Sequence, residues 1–122
     1  MATLYSKDHV WIRKEETGAR IGLSDFAQSE LGEIVFVEAP AKGAEMTKGE
    51  PICSIDALKS TSDVYAPISG KVLEVNSRLA ENNARIINSD PLGEGWICVM
   101  SIDDEAQLDE LLSEEQYRQY VS

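Results

Sequence analysis

The sequence has few of the residues that metal or redox chemistry requires. It contains one histidine, His9, and two cysteines, Cys53 and Cys98, and the cysteines do not form a C-x-x-C pair. Since so few ligands of this kind cannot build a zinc site, we predict no metal site. Both cysteines lie inside apolar, strand-like runs and are expected to be small core residues. The absence of a disulfide framework fits a reducing compartment.

Long apolar runs and basic segments are also scarce. No apolar run reaches the length of a membrane span, so we expect no membrane association. Residues 1–8 lack a basic region followed by an apolar stretch, so we expect no secretory signal. Lys and Arg total 11 against 22 Asp and Glu, which gives a net charge of −11. Such a surface repels phosphate backbones, and we therefore expect no nucleic-acid partner. It suits reversible encounters with basic proteins or serves solubility alone.

The 122 residues are enough for one modest hydrophobic core. No Gly-, Ser- or Pro-rich linker divides them, so the sequence predicts a single domain over residues 1–122. The missing secretory signal and the absence of a disulfide framework predict a cytoplasmic protein, or a mitochondrial-matrix protein if the chain is a processed eukaryotic one.

Most of the chain consists of short β-type runs separated by turn residues. The predicted strands cover residues 9–14, 20–23, 34–37, 51–55, 71–76 and 96–102. Residues 34–37, a continuous β-branched and aromatic run, are typical of a buried strand. Ser24 is placed to begin a short helix that ends at Gly32, and the capping box at residues 113–116 begins a C-terminal helix. The sequence therefore predicts a β core with short helices outside it.

An internal repeat surrounds one lysine. Residues 39–43, Ala-Pro-Ala-Lys-Gly, are similar to residues 66–70, Ala-Pro-Ile-Ser-Gly, and each copy follows a β-type run. Between the copies an apolar strand leads into Lys59, and a short polar segment leads away into a second strand. Asp56 and Asp63 bracket the lysine. The pattern predicts an exposed Lys59 at the tip of a hairpin.

The segment around Lys59 resembles the attachment motif of the glycine cleavage H proteins. In that family an acidic residue, an aliphatic residue and lysine are followed by small residues, Ser-Asp, Tyr, Pro and Ser-Gly; here residues 56–70 read DALKSTSDVYAPISG. Further similar segments are YSKDHVW at 5–11, IGLSDFAQ at 21–28, LGEIVFV at 31–37, NSDPLGEGW at 88–96 and residues 111–120. The resemblance implies a mainly β, lipoyl/biotinyl-type barrel-sandwich hybrid of two antiparallel sheets with short peripheral helices, including a C-terminal helix.

The resemblance also implies a function and a set of partners. Lys59 would carry lipoate as an amide, with Asp56 and Asp63 as flanking recognition residues of the attachment turn. The arm would shuttle the aminomethyl group of glycine from a pyridoxal-phosphate decarboxylase to an aminomethyltransferase. A dihydrolipoyl dehydrogenase would then reoxidise it, and a lipoate ligase or lipoyl transferase would attach it. We identify no catalytic constellation of the chain's own, so the protein is expected to be a non-catalytic carrier.

Some residues depart from the family pattern and leave alternatives open. Asp56 stands where Glu is usual, Val10 stands where Glu is common, and residues 81–88 are one residue longer than usual. An H-like protein that stores lipoyl groups, relays them to other acceptors or serves another oxidoreductase is one alternative. An unmodified structural module and an enzyme in its own right are two more. Biotin carriers fit less well because they place Met on both sides of the lysine. The lipoyl domains of 2-oxo-acid dehydrogenases fit less well because they usually show Asp-Lys and lack the helix after Ser24.

Overall fold

The computed structural model describes residues 3–81 and 84–121, so Asn82 and Asn83 of the longer stretch lie outside the described residues. The strands are β1 (Thr3–Tyr5), β2 (Val10–Lys14), β3 (Ala19–Leu23), β4 (Ile34–Glu38), β5 (Glu45–Met46), β6 (Pro51–Ala57), β7 (Thr61–Tyr65), β8 (Gly70–Val75) and β9 (Cys98–Met100). The α-helices are α1 (Asp25–Leu31), α2 (Ile86–Ser89) and α3 (Glu114–Val121), and 3-10 helices cover Ser77–Glu81 and Glu105–Glu110.

Two antiparallel sheets enclose the core. One has the strand order β1-β2-β3-β9-β8-β5, and the other has the order β4-β6-β7. Buried side chains from both sheets, among them Ile21, Ile34, Ile55 and Met100, belong to one apolar cluster. This arrangement confirms the expected fold of two antiparallel sheets with short outer helices, although the sheets do not close into a barrel. None of the helices in the described ranges combines the length and apolar character of a membrane span.

The internal repeat corresponds to a structural pairing. β4 and β7 each end one residue before an Ala-Pro pair, and the two copies lead into β5 and β8. Those two strands pair with each other, with Met46 opposite Gly70. Gly43 has a φ of 90° and donates its backbone N–H to the carbonyl of Val72 at 2.7 Å. The first copy therefore needs glycine at its turn, since other residues rarely adopt this conformation.

Local sequence signals placed the helix ends correctly. The Oγ of Ser24 accepts the backbone N–H of Ala27 at 3.1 Å, and Gly32, with a φ of 79°, closes α1. At the start of α3 the capping box is complete, because Ser113 and Gln116 each accept the other's backbone N–H. These bonds satisfy amides that the helix itself leaves unpaired.

Three local predictions were wrong. His9 was expected in a strand, but it precedes β2 with a φ of 69°, and its Nδ1 lies 2.8 Å from the hydroxyl of Tyr117. Residues 34–37 were expected to be buried throughout, yet Val35 and Phe36 are 46% and 53% exposed. Leu108, Leu111 and Leu112 fall at helical spacing in the sequence, which predicts a helix, but Leu112 forms a backbone bridge with Tyr5 instead. In each case a contact or strand register distant in sequence overrides the local pattern.

Candidate functional site

Lys59 lies in the turn between β6 and β7, and its side chain is exposed. The backbone N–H of Ala57 donates to the carbonyl of Ser60 at 2.8 Å, which closes the turn around Leu58 and Lys59. Within the described ranges, no hydrogen bond or ion pair engages the Lys59 side chain. The predicted position and exposure of this lysine are confirmed.

Side chains on the inner face of the β6–β7 hairpin pack into the core and hold the hairpin in place. Ile55 and Val64 are at most 1% exposed, and Ala57 is buried beside them. The intervening residues point outward, because side chains alternate between the two faces of a strand. β6 also pairs with β4 on its other edge, so it is the central strand of its sheet. Lys59 is therefore an exposed side chain that follows a strand hydrogen-bonded along both of its edges.

The turn is also hydrogen-bonded to the residue that precedes β4. The backbone N–H of Leu58 donates to the carbonyl of Glu33 at 3.1 Å. The segment around Glu33 is held in turn by Asn88, whose Oδ1 accepts the backbone N–H of Ile34 at 2.9 Å. The Nδ2 of Asn88 donates to the carbonyl of Gly32 at 2.8 Å. Sequence reasoning placed Asn88 only within the family-like segment at 88–96 and missed this role, because the bond to Ile34 spans 54 residues.

Asp56 and Asp63 occupy different levels of the hairpin. Asp56 lies opposite Thr61, at the end next to the turn, and its Oδ1 accepts the hydroxyl of Thr61 at 3.1 Å. Asp63 lies opposite Ser54, two residues further along β7. Both carboxylates project from the outer face of the sheet. The structure thus brings Asp56 beside the turn and leaves Asp63 lower on the same face.

A shallow cleft borders the turn on the side of β4. Glu33, Arg85, Asn88 and Ser89 line this cleft of about 360 Å³. The Nη2 of Arg85 lies 2.9 Å from the Oε1 of Glu33, so these two charges offset each other. Because Glu33 also holds Leu58, the cleft adjoins the Lys59 turn.

Other potentially reactive side chains are poorly placed for chemistry. Burial raises the pKa of the Cys98 thiol to about 12 and raises that of Cys53 well above its usual range. Both thiols therefore stay protonated at neutral pH and are poor nucleophiles. Within residues 3–81 and 84–121, no group of three or more Asp, Glu, His or Cys side chains is arranged to hold a metal ion. The feature that the site offers to chemistry is an accessible primary amine.

Comparison with known proteins gives consistent results. A family model described as Glycine cleavage H-protein matches residues 3–122. A protein of Coprothermobacter proteolyticus named glycine cleavage system H protein is 51% identical over 118 residues, which cover 96% of this chain and 92% of the relative. The protein of the same name from Thermotoga maritima is 44% identical, with 97% and 94% covered. A crystal structure of a glycine cleavage system H protein from Mycobacterium marinum matches with a TM-score of 0.85 at 31% identity, covering 97% of this chain and 94% of that one.

Proposed function

The chain belongs to the glycine cleavage H-protein family, and from this premise we propose that Lys59 is the residue that carries its lipoyl group. The observation that carries the proposal is the exposed amine on the turn between β6 and β7. By family membership the protein is a lipoyl carrier of the glycine cleavage system. Its residues 1–122 are proposed to act as one domain.

The surroundings of Lys59 fit an amide-linked group. The amine ends a four-carbon side chain and has no partner within the described ranges, so attachment breaks no existing interaction. In the attachment step, the Nζ of Lys59 bonds to the carbonyl carbon of an acyl adenylate of lipoate. The bond from that carbon to the adenylate oxygen breaks, AMP leaves, and the nitrogen loses a proton. Asp56 and Asp63 are proposed to help the attaching enzyme recognise the turn.

The chain itself contributes the exposed position from which the lipoyl group reaches the partner enzymes. When bound, the lipoyl group supplies a disulfide that accepts the aminomethyl group of glycine. Lys59 provides a flexible tether on a rigid hairpin, which raises the effective concentration of its cargo wherever the domain docks. Attachment also removes one positive charge, so the formal net charge changes from −11 to −12. The catalytic groups are proposed to belong to the partner enzymes.

The proposed partners follow from this role. They are the pyridoxal-phosphate glycine decarboxylase, the aminomethyltransferase, the dihydrolipoyl dehydrogenase and a lipoate ligase or lipoyl transferase. The acidic surface of the chain, with 22 Asp and Glu against 11 Lys and Arg, suits docking to basic surfaces on these enzymes. We propose a cytoplasmic location, which the bacterial origin of the relatives supports.

Lys59→Arg tests the attachment residue. Arginine keeps the positive charge but has no primary amine that can form the amide. We expect lipoylation by a purified lipoate ligase to be lost completely and the melting temperature to change little, because the position is exposed. Intact mass spectrometry and peptide mapping measure the modification. Lys42→Arg is the matched control, since Lys42 is an exposed lysine in the first copy of the repeat, away from the turn. Lipoylation that persists in Lys59→Arg would show that another lysine carries the group.

Activity assays separate the carrier role from the relay alternative. The lipoylated chain should support glycine–bicarbonate exchange with an active pyridoxal-phosphate decarboxylase, and the unmodified chain should not. A relay protein would give poor exchange but efficient transfer of its lipoyl group to another acceptor. Both activities are measured on one lipoylated preparation. Efficient relay without exchange would contradict the role in glycine cleavage while keeping Lys59 as the attachment residue.

A further inference from the structure

Three large apolar side chains are exposed around the Lys59 turn. Val35, Phe36 and Leu58 are 46%, 53% and 66% exposed, and we call these three residues the tip patch. Among the described residues, the other large apolar side chains with comparable exposure are Tyr65 and Tyr120. Scattered exposed apolar residues are normal on a protein surface, but a group at one end of a small sheet indicates an interaction surface.

A β-bulge creates this patch. Ile34 pairs with Ala57 and Phe36 pairs with Asp56, so Val35 is an extra residue in β4. The bulge interrupts the inward and outward alternation, and two consecutive apolar residues face outward. Leu58 joins them because its backbone N–H donates to the carbonyl of Glu33, two residues before Val35. The three side chains therefore lie at neighbouring positions beside Lys59.

Unpaired carboxylates continue the same face of the sheet. Asp56 lies opposite Phe36, and the next outward pair along the strands is Glu38 opposite Ser54, with Asp63 beyond it. We call Glu38, Asp56 and Asp63 the acidic face. None of them takes part in an ion pair within residues 3–81 and 84–121. The Oε2 of Glu38 accepts the hydroxyl of Ser54 at 3.3 Å, and the Oδ1 of Asp56 accepts the hydroxyl of Thr61. The face therefore presents negative charge that a basic surface can complement.

We propose that the tip patch and the acidic face together dock the enzyme that acylates Lys59. The matching surface on that enzyme is an apolar depression bordered by Lys and Arg side chains. This inference rests on the proposed role of Lys59 and names the surface through which its modification is recognised. The attaching enzyme must bring its active site to an amine only four carbons from the backbone, so its surface must cover the residues around the turn. Enzymes that act on the far end of the finished arm face no such requirement.

Steady-state acylation of the unmodified chain tests the proposal. The assay contains a purified lipoate ligase, lipoate and ATP, with the concentration of the chain varied. For Phe36→Ser we expect KM for the chain to rise about tenfold with kcat nearly unchanged, since losing one apolar anchor weakens binding on this scale. Val35→Ser and Leu58→Ser should act in the same direction. Tyr120→Ser is the matched control and should leave KM within about twofold, because Tyr120 is also an exposed aromatic residue but lies on α3, which packs against β1 of the other sheet.

The acidic face is tested through the salt dependence. Glu38→Gln combined with Asp63→Asn should raise KM at low salt and flatten its increase with added salt, because exposed charges are screened over about 10 Å at 0.1 M. A salt dependence identical to that of the unsubstituted chain would overturn the part of the proposal that assigns a basic border to the partner.

Two further readouts separate docking from its alternatives. Acetylation of Lys59 by a small N-hydroxysuccinimide ester reports whether the amine keeps its accessibility and reactivity, and its rate should be the same in Phe36→Ser as in the unsubstituted chain. A reduced kcat together with slower acetylation would overturn the proposal in favour of a structural role for the patch. An unchanged KM in all three tip-patch variants, with acylation mapped to Lys59, would overturn the docking surface alone. Acylation mapped to another lysine would overturn the attachment assignment and the docking surface with it.

Discussion

Replacing Asn88 with alanine should loosen the Lys59 turn from a distance. The side chain accepts the backbone N–H of Ile34 and donates to Gly32 and to the Oε1 of Gln28, all at 2.8–2.9 Å. Ile34 is fully buried, so its N–H would lose a partner in a place where water replaces it poorly. The bond to Gln28 is also partly buried, whereas the bond to Gly32 is exposed. Together these losses should lower the free energy of unfolding by about 2 kcal/mol, because the two partly buried bonds contribute about 1 kcal/mol each and the exposed bond contributes little.

Urea denaturation measures this effect, and hydrogen exchange locates it. A loss of about 2 kcal/mol corresponds to a fall of about 1 M in the urea midpoint. The amide of Leu58 should also exchange faster, because its acceptor is the carbonyl of Glu33, between Gly32 and Ile34. Ser89→Ala is the matched control on the same helix, since its hydroxyl makes one long bond of 3.4 Å at an exposed site. If the two variants agree within about 0.5 kcal/mol, less than one net hydrogen bond, the role assigned to Asn88 is wrong.

Two further predictions concern the core and the stability at high pH. Gly70→Ala should lower the free energy of unfolding, measured by urea denaturation, by about 2 kcal/mol or more, because a Cβ at this position would lie 1.9 Å from the carbonyl oxygen of Ser101. A free energy of unfolding equal to that of the unsubstituted chain would contradict this packing. Burial raises the pKa of Cys98 to about 12 and also raises that of Cys53, so above about pH 9 the unfolded chain releases thiol protons that the folded chain retains. The free energy of unfolding should therefore fall as the pH rises above 9, and a Cys53→Ala/Cys98→Ala variant should lose this part of the pH dependence.

Local signals in the sequence were sufficient for much of the fold. Ser24, Gly32 and the capping box at Ser113 marked the helix ends correctly, because capping depends on residues three or four apart. Turn residues between apolar runs likewise placed the hairpin that presents Lys59. The burial of Cys53 and Cys98 was also predicted, since both lie in apolar strands.

Features that depend on distant partners were missed. The bulge in β4 is invisible in the run from Ile34 to Val37, because it exists only in the register against β6. The left-handed conformation of His9 accompanies a bond to Tyr117, 108 residues away. The hydrogen bonds of Asn88 bring α2 against the start of β4, and no local pattern indicates such a bond.

The sequence by itself determined that Lys59 lies at the tip of a hairpin between two apolar strands. That information is local, because strand periodicity and turn preference act over a few residues. Only the tertiary structure decided the surroundings of the lysine. These are the exposed apolar side chains of Val35, Phe36 and Leu58, the carboxylates on the same face of the sheet, and the hydrogen bonds that connect the turn to Glu33 and the start of β4 to Asn88. The physical reason is that strand register and packing between sheets bring together residues whose separation along the chain carries no signal of their contact.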